Sequence, residues 1–233
     1  MTHSILADGA VNLYLEDCLT FLKTQETDSY SSMIADPPYG LTKQEWDSGL
    51  PPQEVLTESL RVSRGPVIWF SGAPCKCVFE FGEYKPIPDR MLVWHAPFSL
   101  AKVVRNGVYY RFHTVWCWRL PKQQEHHLIP QDVIRCNTSS RDRRFTFAPM
   151  KPTELMWRFV RAFGGERVLD TYMGSGTTGI ACIQAGVEFT GVDNNKRAYA
   201  MAVERCKLAI EQRKLVPNWQ ERVDAFRKRA SRK

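Results

Sequence analysis

The stretch Asp36-Pro37-Pro38-Tyr39 joins a carboxylate, two rigid residues and an aromatic ring directly after the apolar run at residues 31–35. The run predicts a buried strand, and ligands bind at the carboxyl ends of strands in open α/β sheets. Proline fixes its own φ and keeps the preceding residue extended, so Asp36 has little backbone freedom. The carboxylate and the neighbouring carbonyls form a group of acceptors that suits an amino group. Asp-Pro and Pro-Pro are also common turn signals, so an ordinary strand-to-loop turn is the alternative.

A second motif consists of a predicted strand that ends at Asp170, a glycine-rich loop and a helix. Gly174 and Gly176 allow the backbone to approach a ligand closely. We expect Thr177 or Thr178 to cap the helix that follows the loop.

Asp193 ends the next predicted strand, roughly 20 residues after the loop, where an acid accepts hydrogen bonds from ribose hydroxyls. The glycine pattern differs from the dinucleotide pattern G-x-G-x-x-G, and the loop lacks the lysine of a phosphate-binding loop. The motif therefore favours a nucleoside without phosphates.

The two motifs together resemble the amino-group DNA methyltransferases that use S-adenosylmethionine. The family's D-P-P-Y is similar to residues 36–39, and its loop D-P-F-x-G-S-G-T-T is similar to residues 170–178. The catalytic motif precedes the cofactor loop here, which is the permuted order of the β class. The family's K-P-x-x-L is similar to residues 151–155. Thr171 and Tyr172 depart from the family's Pro and Phe.

The resemblance covers nearly all of the chain and implies a circularly permuted, Rossmann-like S-adenosylmethionine-dependent methyltransferase fold. Alternating strands and helices also predict an α/β fold with a mostly parallel sheet and helices on both faces. We expect one domain over residues 1–233, with a short target-recognition segment at about 96–149. The predicted strands are 11–15, 31–35, 67–71, 90–95, 167–170 and 188–193, and the predicted helices are 18–24, 52–62, 74–81, 152–163, 177–185, 195–214 and 217–229.

Site roles follow from the resemblance as well. It assigns catalysis to Asp36, Pro37, Pro38 and Tyr39. It assigns S-adenosyl-L-methionine binding to Asp17, Cys18, Lys151, Asp170, Tyr172, Gly174, Ser175, Gly176, Thr177, Thr178, Asp193 and Asn194. Within this set Asp17 is expected near the adenine, Asp193 on the ribose and the glycine loop near the methionine end.

The implied reaction is methyl transfer to the exocyclic amine of a DNA base. The lone pair of this amine is delocalised into the ring, and acceptors at Asp36 and the Pro37 carbonyl would draw the nitrogen toward tetrahedral geometry. Transfer is then a direct displacement that requires no metal. The base must be flipped out of the duplex, at a cost that stacking on Tyr39 offsets.

The target base is expected to be adenine, because family members with Asp in the first catalytic position mostly modify adenine N6. Cytosine N4 is the alternative. A DNA-binding relative that keeps the fold without turnover is a third alternative.

Basic residues concentrate in the predicted target-recognition segment. Residues 96–149 contain nine basic and three acidic residues, within a chain of net charge +7, and aromatic residues such as Trp116 and Trp118 are interleaved with them. This composition favours contacts with DNA phosphates, although a solvated loop layer is the alternative for any single arginine. The arginines that we expect on DNA are Arg141, Arg143 and Arg144.

Other features limit the compartment and the partners. No apolar run is long enough to span a membrane and Asp8 interrupts the N-terminus, so we expect a cytoplasmic protein. The seven scattered cysteines are expected to be reduced core thiols. Cys75 and Cys77 form the one close pair, which is too little for zinc. The resemblance implies DNA as the partner and leaves a homodimer and a restriction partner open.

Overall fold

The computed structural model describes residues 2–40, 47, 49–72, 75–97, 111–122, 128–137 and 150–215, and only the backbone of residues 75–78. The strands are β1 (Thr2–Leu6), β2 (Val11–Leu15), β3 (Ser32–Ala35), β4 (Val67–Ser71), β5 (Arg90–His95), β6 (Phe112–Trp118), β7 (Val133–Arg135), β8 (Arg167–Asp170) and β9 (Glu188–Asp193). The helices are α1 (Cys18–Thr24), α2 (Gln53–Val62), α3 (Cys75–Gly82), α4 (Thr153–Phe163), α5 (Thr177–Ala185) and α6 (Lys196–Lys214). The helix predicted at 217–229 lies outside the described residues.

The strands form one sheet in the order β1-β2-β9-β8-β3-β4-β6-β5-β7. Neighbouring strands from β2 to β4 in this order are parallel. At the ends of the sheet, β1 runs antiparallel to β2, and β6 runs antiparallel to both β4 and β5. The mostly parallel sheet that the sequence predicted is confirmed, and the carboxyl ends of its central strands lie at one edge.

Helices cover both faces of the sheet. Consecutive residues of a strand point to opposite faces, so a strand with an unbroken apolar run presents apolar side chains on both. In β3, Met33 and Ala35 belong to the core cluster that contains Phe21 of α1. Ile34, between them, belongs to the cluster that contains Phe159 of α4. Helices α1 to α3 contribute to the first cluster and α4 to α6 to the second. The predicted α/β layering is therefore confirmed.

The two tryptophans of β6 are part of the core, whereas Phe112 at its start is exposed. Trp116 and Trp118 are only 8% and 1% exposed. Trp116 stacks on Phe81, and Trp118 packs edge-on against Trp69. The expectation that these two tryptophans lie among phosphate contacts was wrong, because β6 is an interior strand with core on both faces.

Arg119, at the end of β6, also has a structural role. Its guanidinium donates to the carbonyls of Leu60 and Ser63 at the end of α2, at 2.7 and 2.9 Å. Carbonyls in the last turn of a helix lack intrahelical partners, and a basic side chain satisfies them.

The cysteines whose side chains are described carry free thiols, and all except Cys18 are buried. The prediction of core thiols is confirmed for Cys117, Cys136, Cys182 and Cys206. None of the helices in the described ranges is long and apolar enough to cross a membrane.

Candidate active site

Four acidic residues follow four adjacent parallel strands. Asp17 comes after β2, Asp193 and Asp170 end β9 and β8, and Asp36 follows β3. Because the carboxyl ends of these strands share an edge, all four residues line one cavity of about 350 Å³. The sequence predicted this meeting of residues that are far apart along the chain.

Most of the predicted site residues line this cavity. They are Asp17, Cys18, Asp36, Pro38, Lys151, Asp170, Tyr172, Gly174, Ser175, Thr177, Thr178, Asp193 and Asn194. Pro37 and Gly176 adjoin the lining, and Tyr39 is half-buried beside it. The predicted DNA contacts Arg141, Arg143 and Arg144 lie outside the described residues.

Several further residues line the cavity without having been predicted. They are Gly49, Leu50, Pro51, Pro52, Met150, Met156, Thr171, Met173, Asn195 and Ala198. Residues 49–52 precede α2 and reach the cavity through tertiary folding, so no local pattern marked them. Thr171, Met173 and Asn195 are neighbours of predicted residues, which is the signal that could have found them.

The two carboxylate oxygens of Asp36 differ in their surroundings. Oδ2 lies 2.5 Å from Nζ of Lys151. Oδ1 is buried and has no hydrogen-bond partner among the described residues. Buried acceptors are nearly always paired in folded proteins, so an unpaired one at a cavity indicates a place for a ligand donor.

A second carboxylate, which the sequence did not single out, fixes the turn of the catalytic motif. Asp47 is only 4% exposed. Its Oδ1 accepts the backbone N–H groups of Tyr39 and Gly40, both at 2.7 Å. The chain after the two prolines is therefore held by a charge-assisted pair of hydrogen bonds.

Lys151 contacts the catalytic motif. Its ammonium donates to the hydroxyl of Tyr39 at 3.0 Å, in addition to Asp36. The resemblance assigned Lys151 to the cofactor. Lys151 does line the cavity, but its Nζ atom contacts Asp36 and Tyr39.

Asp193 holds the glycine loop. Its Oδ2 accepts the N–H of Gly174 at 2.9 Å, and its Oδ1 accepts the N–H of Asn195 at 2.8 Å. Burial raises the pKa of this carboxyl, and the two N–H donors oppose that effect. The carboxylate is thus fixed in orientation at the cavity wall.

Arg205 of α6 holds the same loop from the other side. Its Nη1 donates to the carbonyl and the hydroxyl of Ser175, at 2.5 and 2.8 Å, and to the hydroxyl of Thr177 at 3.3 Å. Sequence reasoning missed this residue because it lies 30 positions away from Ser175, inside a long polar helix.

The helix α5 begins after Gly176, and no side chain caps it. The prediction that Thr177 or Thr178 caps this helix was wrong, because both threonines are already inside its first turn. Gly176 itself adopts a φ of 79°. A Cβ at this position would lie 3.0 Å from the Cβ of Ala202 and 3.1 Å from its Cα.

Gly176→Ala is therefore expected to lower the free energy of unfolding by roughly 1–3 kcal/mol, the usual cost of a strained backbone conformation. Gly82→Ala is the matched control, because a Cβ at that position would meet no atom within 4 Å and the φ of Gly82 is not strained. Denaturant unfolding of both variants measures the difference, and equal stability would contradict the strain at Gly176.

A cysteine and a tyrosine that line the cavity are in contact. The thiol of Cys18 donates to the hydroxyl of Tyr172 at 3.2 Å. Burial raises the pKa of both groups, so both stay neutral at physiological pH. Nearby, Asp17 caps α1, because its Oδ1 accepts the N–H of Thr20 at 2.9 Å.

Comparison with known proteins identifies the family. A family model described as DNA methylase matches residues 75–204, which is more than half of the chain. The chain belongs to this N6/N4 DNA methylase family. The matched residues of the methylase include the glycine loop and Asp193, while the catalytic motif precedes them. A search of curated proteins found no match.

Solved structures share the fold of this methylase. The PvuII DNA methyltransferase, which is cytosine-N4-specific, superposes with a TM-score of 0.67 at 17% identity, over 94% of this chain and 92% of that one. M1.HpyAVI in complex with SAM gives 0.63 at 17% identity, over 84% and 99%. A putative DNA modification methylase from Thermus thermophilus, complexed with S-adenosyl-L-methionine, gives 0.60 at 18% identity, over 85% and 95%.

Asp170 is the most deeply buried of the four acidic residues described above as lining the cavity. It is 2% exposed and accepts the N–H of Tyr172 at 3.0 Å. The pKa of Asp170 is raised to about 7, mainly by burial. The nearby charges of Asp36 and Asp193 also raise the pKa, whereas hydrogen bonds from Thr178 and Tyr172 lower it.

This shift has a defined effect on the stability of the methylase. Between about pH 4 and about pH 7 the unfolded chain ionises Asp170 while the folded protein keeps the proton, so the unfolding free energy falls as pH rises. Asp170→Asn removes this titration and should flatten the dependence. Denaturant unfolding at several pH values measures both proteins, and identical slopes would show that Asp170 does not titrate in this range.

Proposed function

We propose that this DNA methylase transfers a methyl group from S-adenosylmethionine to N6 of adenine in DNA. One observation supports transfer to an amino group most directly. The buried Oδ1 of Asp36 has no hydrogen-bond partner among the described residues, and Asp36 lines the cavity formed by the strand ends. An amino group is the donor that such an acceptor suits.

The cavity suits S-adenosylmethionine in charge. Its lining contains the carboxyl groups of Asp17, Asp36 and Asp193 in addition to Asp170, whose raised pKa keeps it largely protonated below about pH 7, and Lys151 is the one cation among the described lining residues. Nearby carboxylates favour a positively charged ligand, and this cofactor carries a sulfonium and an ammonium against a single carboxylate, so its net charge is positive. Two of the structurally similar proteins were solved as complexes with this molecule.

The cavity also suits the cofactor in size and in its individual groups. Its volume of about 350 Å³ lies at the lower end of the range for small-molecule sites. Asp193 would hold the ribose, Tyr172 and Cys18 would lie at the adenosyl group, and Asp17 would lie near the adenine. Ser175 and its neighbours in the loop would lie at the methionine end.

The chemistry of the chain's own residues follows from Asp36. The bound cofactor supplies a methyl group that is activated by its positive sulfur. Asp36 Oδ1 accepts one amino hydrogen of the target base and the Pro37 carbonyl accepts the other, which localises the nitrogen lone pair. Asp36 also takes up the proton that the nitrogen loses. Acceptors that are fixed before the reaction act on the developing positive charge without reorganisation.

The target base is proposed to stack on Tyr39 after it has been flipped out of the duplex. Stacking of a base on an aromatic ring contributes about 1–3 kcal/mol, which offsets part of the cost of extrusion. Arg141, Arg143 and Arg144 are proposed to contact the phosphates of the DNA.

Adenine is preferred over cytosine because of the Asp in the first catalytic position. Cytosine N4 is the second candidate, and the similarity to the cytosine-N4-specific PvuII enzyme supports it. The decisive experiment is mass spectrometry of nucleosides from DNA of cells that express the chain. Cells that express the Asp36→Ala variant provide the control.

N6-methyladenine that depends on Asp36 is the expected product. N4-methylcytosine as the dominant product would overturn the base assignment and leave the reaction class in place. Equal methylation in both cultures would overturn the enzymatic proposal.

A further inference from the structure

The ammonium of Lys151 lies in a cage of aromatic rings beside Asp36. Its Nζ is 5.5, 5.6 and 5.9 Å from the ring centroids of Tyr39, Phe70 and Trp94. The side chain is only 11% exposed. Cations within about 6 Å of aromatic ring centroids are attracted by the rings, and more strongly when water is excluded.

The backbone delivers this ammonium from a restricted position. Lys151 directly precedes Pro152, which is the N-cap of α4. The residue before a proline is confined to extended conformations, so the direction in which the side chain of Lys151 leaves the backbone is restricted.

The neighbouring imidazole brings no second positive charge. His113 stacks on Trp94 with ring centroids 4.5 Å apart. Burial lowers the pKa of His113 to about 4, and the charge of Lys151 lowers it as well. At neutral pH the imidazole is neutral, so Lys151 supplies the positive charge at this wall.

We propose that Lys151 is a positioning residue for methyl transfer. Its ammonium holds Oδ2 of Asp36 and the hydroxyl of Tyr39, so Oδ1 is left as the acceptor for the target amine and the tyrosine ring is fixed beside it. This role rests on the proposed function, whereas the cage and its ion pair do not.

The charge of Lys151 is needed as well as its volume. An apolar side chain of the same length would fill the cage but leave Oδ2 without a donor. A carboxylate that loses its partner in a partly buried place turns toward water or takes up a proton, and either change misplaces Oδ1.

Lys151→Met keeps the volume and removes the charge, and Lys151→Ala leaves a space that matches propylammonium. Both variants should lose about 100-fold in kcat, the order found when one preorganised contact is removed, with cofactor affinity within about threefold. Added propylammonium should restore at least about tenfold in the alanine variant and nothing in the methionine variant. 1-Propanol at equal concentration should restore nothing.

Retention of the wild-type kcat by Lys151→Met would overturn the proposal, and so would equal rescue by propanol, which would indicate packing alone. Lys214→Ala is the matched control, because Lys214 is an exposed lysine paired with Glu211 at 2.9 Å. It should keep the wild-type rate and should not respond to the amine.

Thermal unfolding tests the cage without any turnover. Propylammonium should raise the melting temperature of Lys151→Ala above that measured in equimolar propanol and sodium chloride, because a ligand of the folded state stabilises it. It should not do so for the wild type or for Lys151→Met. If this shift occurs and the wild type does not methylate DNA, the proposed function fails while the cage stands. No shift in the alanine variant overturns the cage.

Discussion

Replacing Asp36 by alanine is expected to abolish measurable methyl transfer to DNA while cofactor affinity changes by less than about threefold. The variant loses the acceptor for the target amine and the group that takes up its proton. Loss of a preorganised electrostatic contact alone costs about 10²–10³ in kcat, and loss of the proton acceptor adds to it. Incorporation of labelled methyl groups into DNA measures transfer, and calorimetry with S-adenosylmethionine measures affinity.

The measurement of cofactor affinity is needed because Asp36 also lies close to residues that are expected to bind the cofactor. Asp36 lines the same cavity as Asp170 and Asp193, so an effect on the cofactor is a real alternative. A parallel loss of cofactor affinity would place Asp36 in the cofactor site. Asp36→Asn keeps the side-chain volume next to Lys151 and should be nearly as inactive, because an amide cannot take up the proton. Glu26→Ala, at an exposed position between α1 and β3 and outside the cavity lining, is the control that should change nothing.

The central strands could be predicted because their patterns are local. All residues of β3 and β4 are buried, as expected for parallel strands covered on both faces, and a continuous apolar run marks each of them. Strand β6 was not assigned because its two tryptophans stand in a segment where aromatic residues are interleaved with arginine and lysine. That composition is equally typical of a nucleic-acid surface. The position of β6 between β4 and β5 depends on strand pairing in the folded chain, which no local sequence pattern indicates.

The acidic residues of the site could be predicted for a related reason. Each of them stands at or just after the end of a strand, and the ends of parallel strands share an edge. The contacts that hold them could not be predicted in the same way. Lys151 and Asp36 are 115 residues apart, and Asp47 reaches Tyr39 only because the chain folds back. The sequence contains 25 acidic residues, and without the fold it does not identify which of them pairs with Lys151.

Asp193→Ala is expected to weaken S-adenosylmethionine binding by about 1.5–3 kcal/mol, the usual contribution of a hydrogen bond to a charged group. The structure offers two reasons for such a loss. The carboxylate is directed at the cavity, where ribose hydroxyls would donate to its remaining lone pairs. It also accepts the N–H groups of Gly174 and Asn195, so its removal releases the loop.

A ligand series separates these two reasons. Adenosine carries the 2′- and 3′-hydroxyls of the ribose, and 2′,3′-dideoxyadenosine lacks both. If Asp193 binds the ribose, the alanine variant loses affinity for adenosine but little for dideoxyadenosine, and the difference between the two losses is the energy of that contact. If Asp193 acts only by fixing the loop, both ligands lose the same amount. Calorimetry on the wild type and the variant with both ligands measures all four affinities, and equal losses would contradict the ribose assignment.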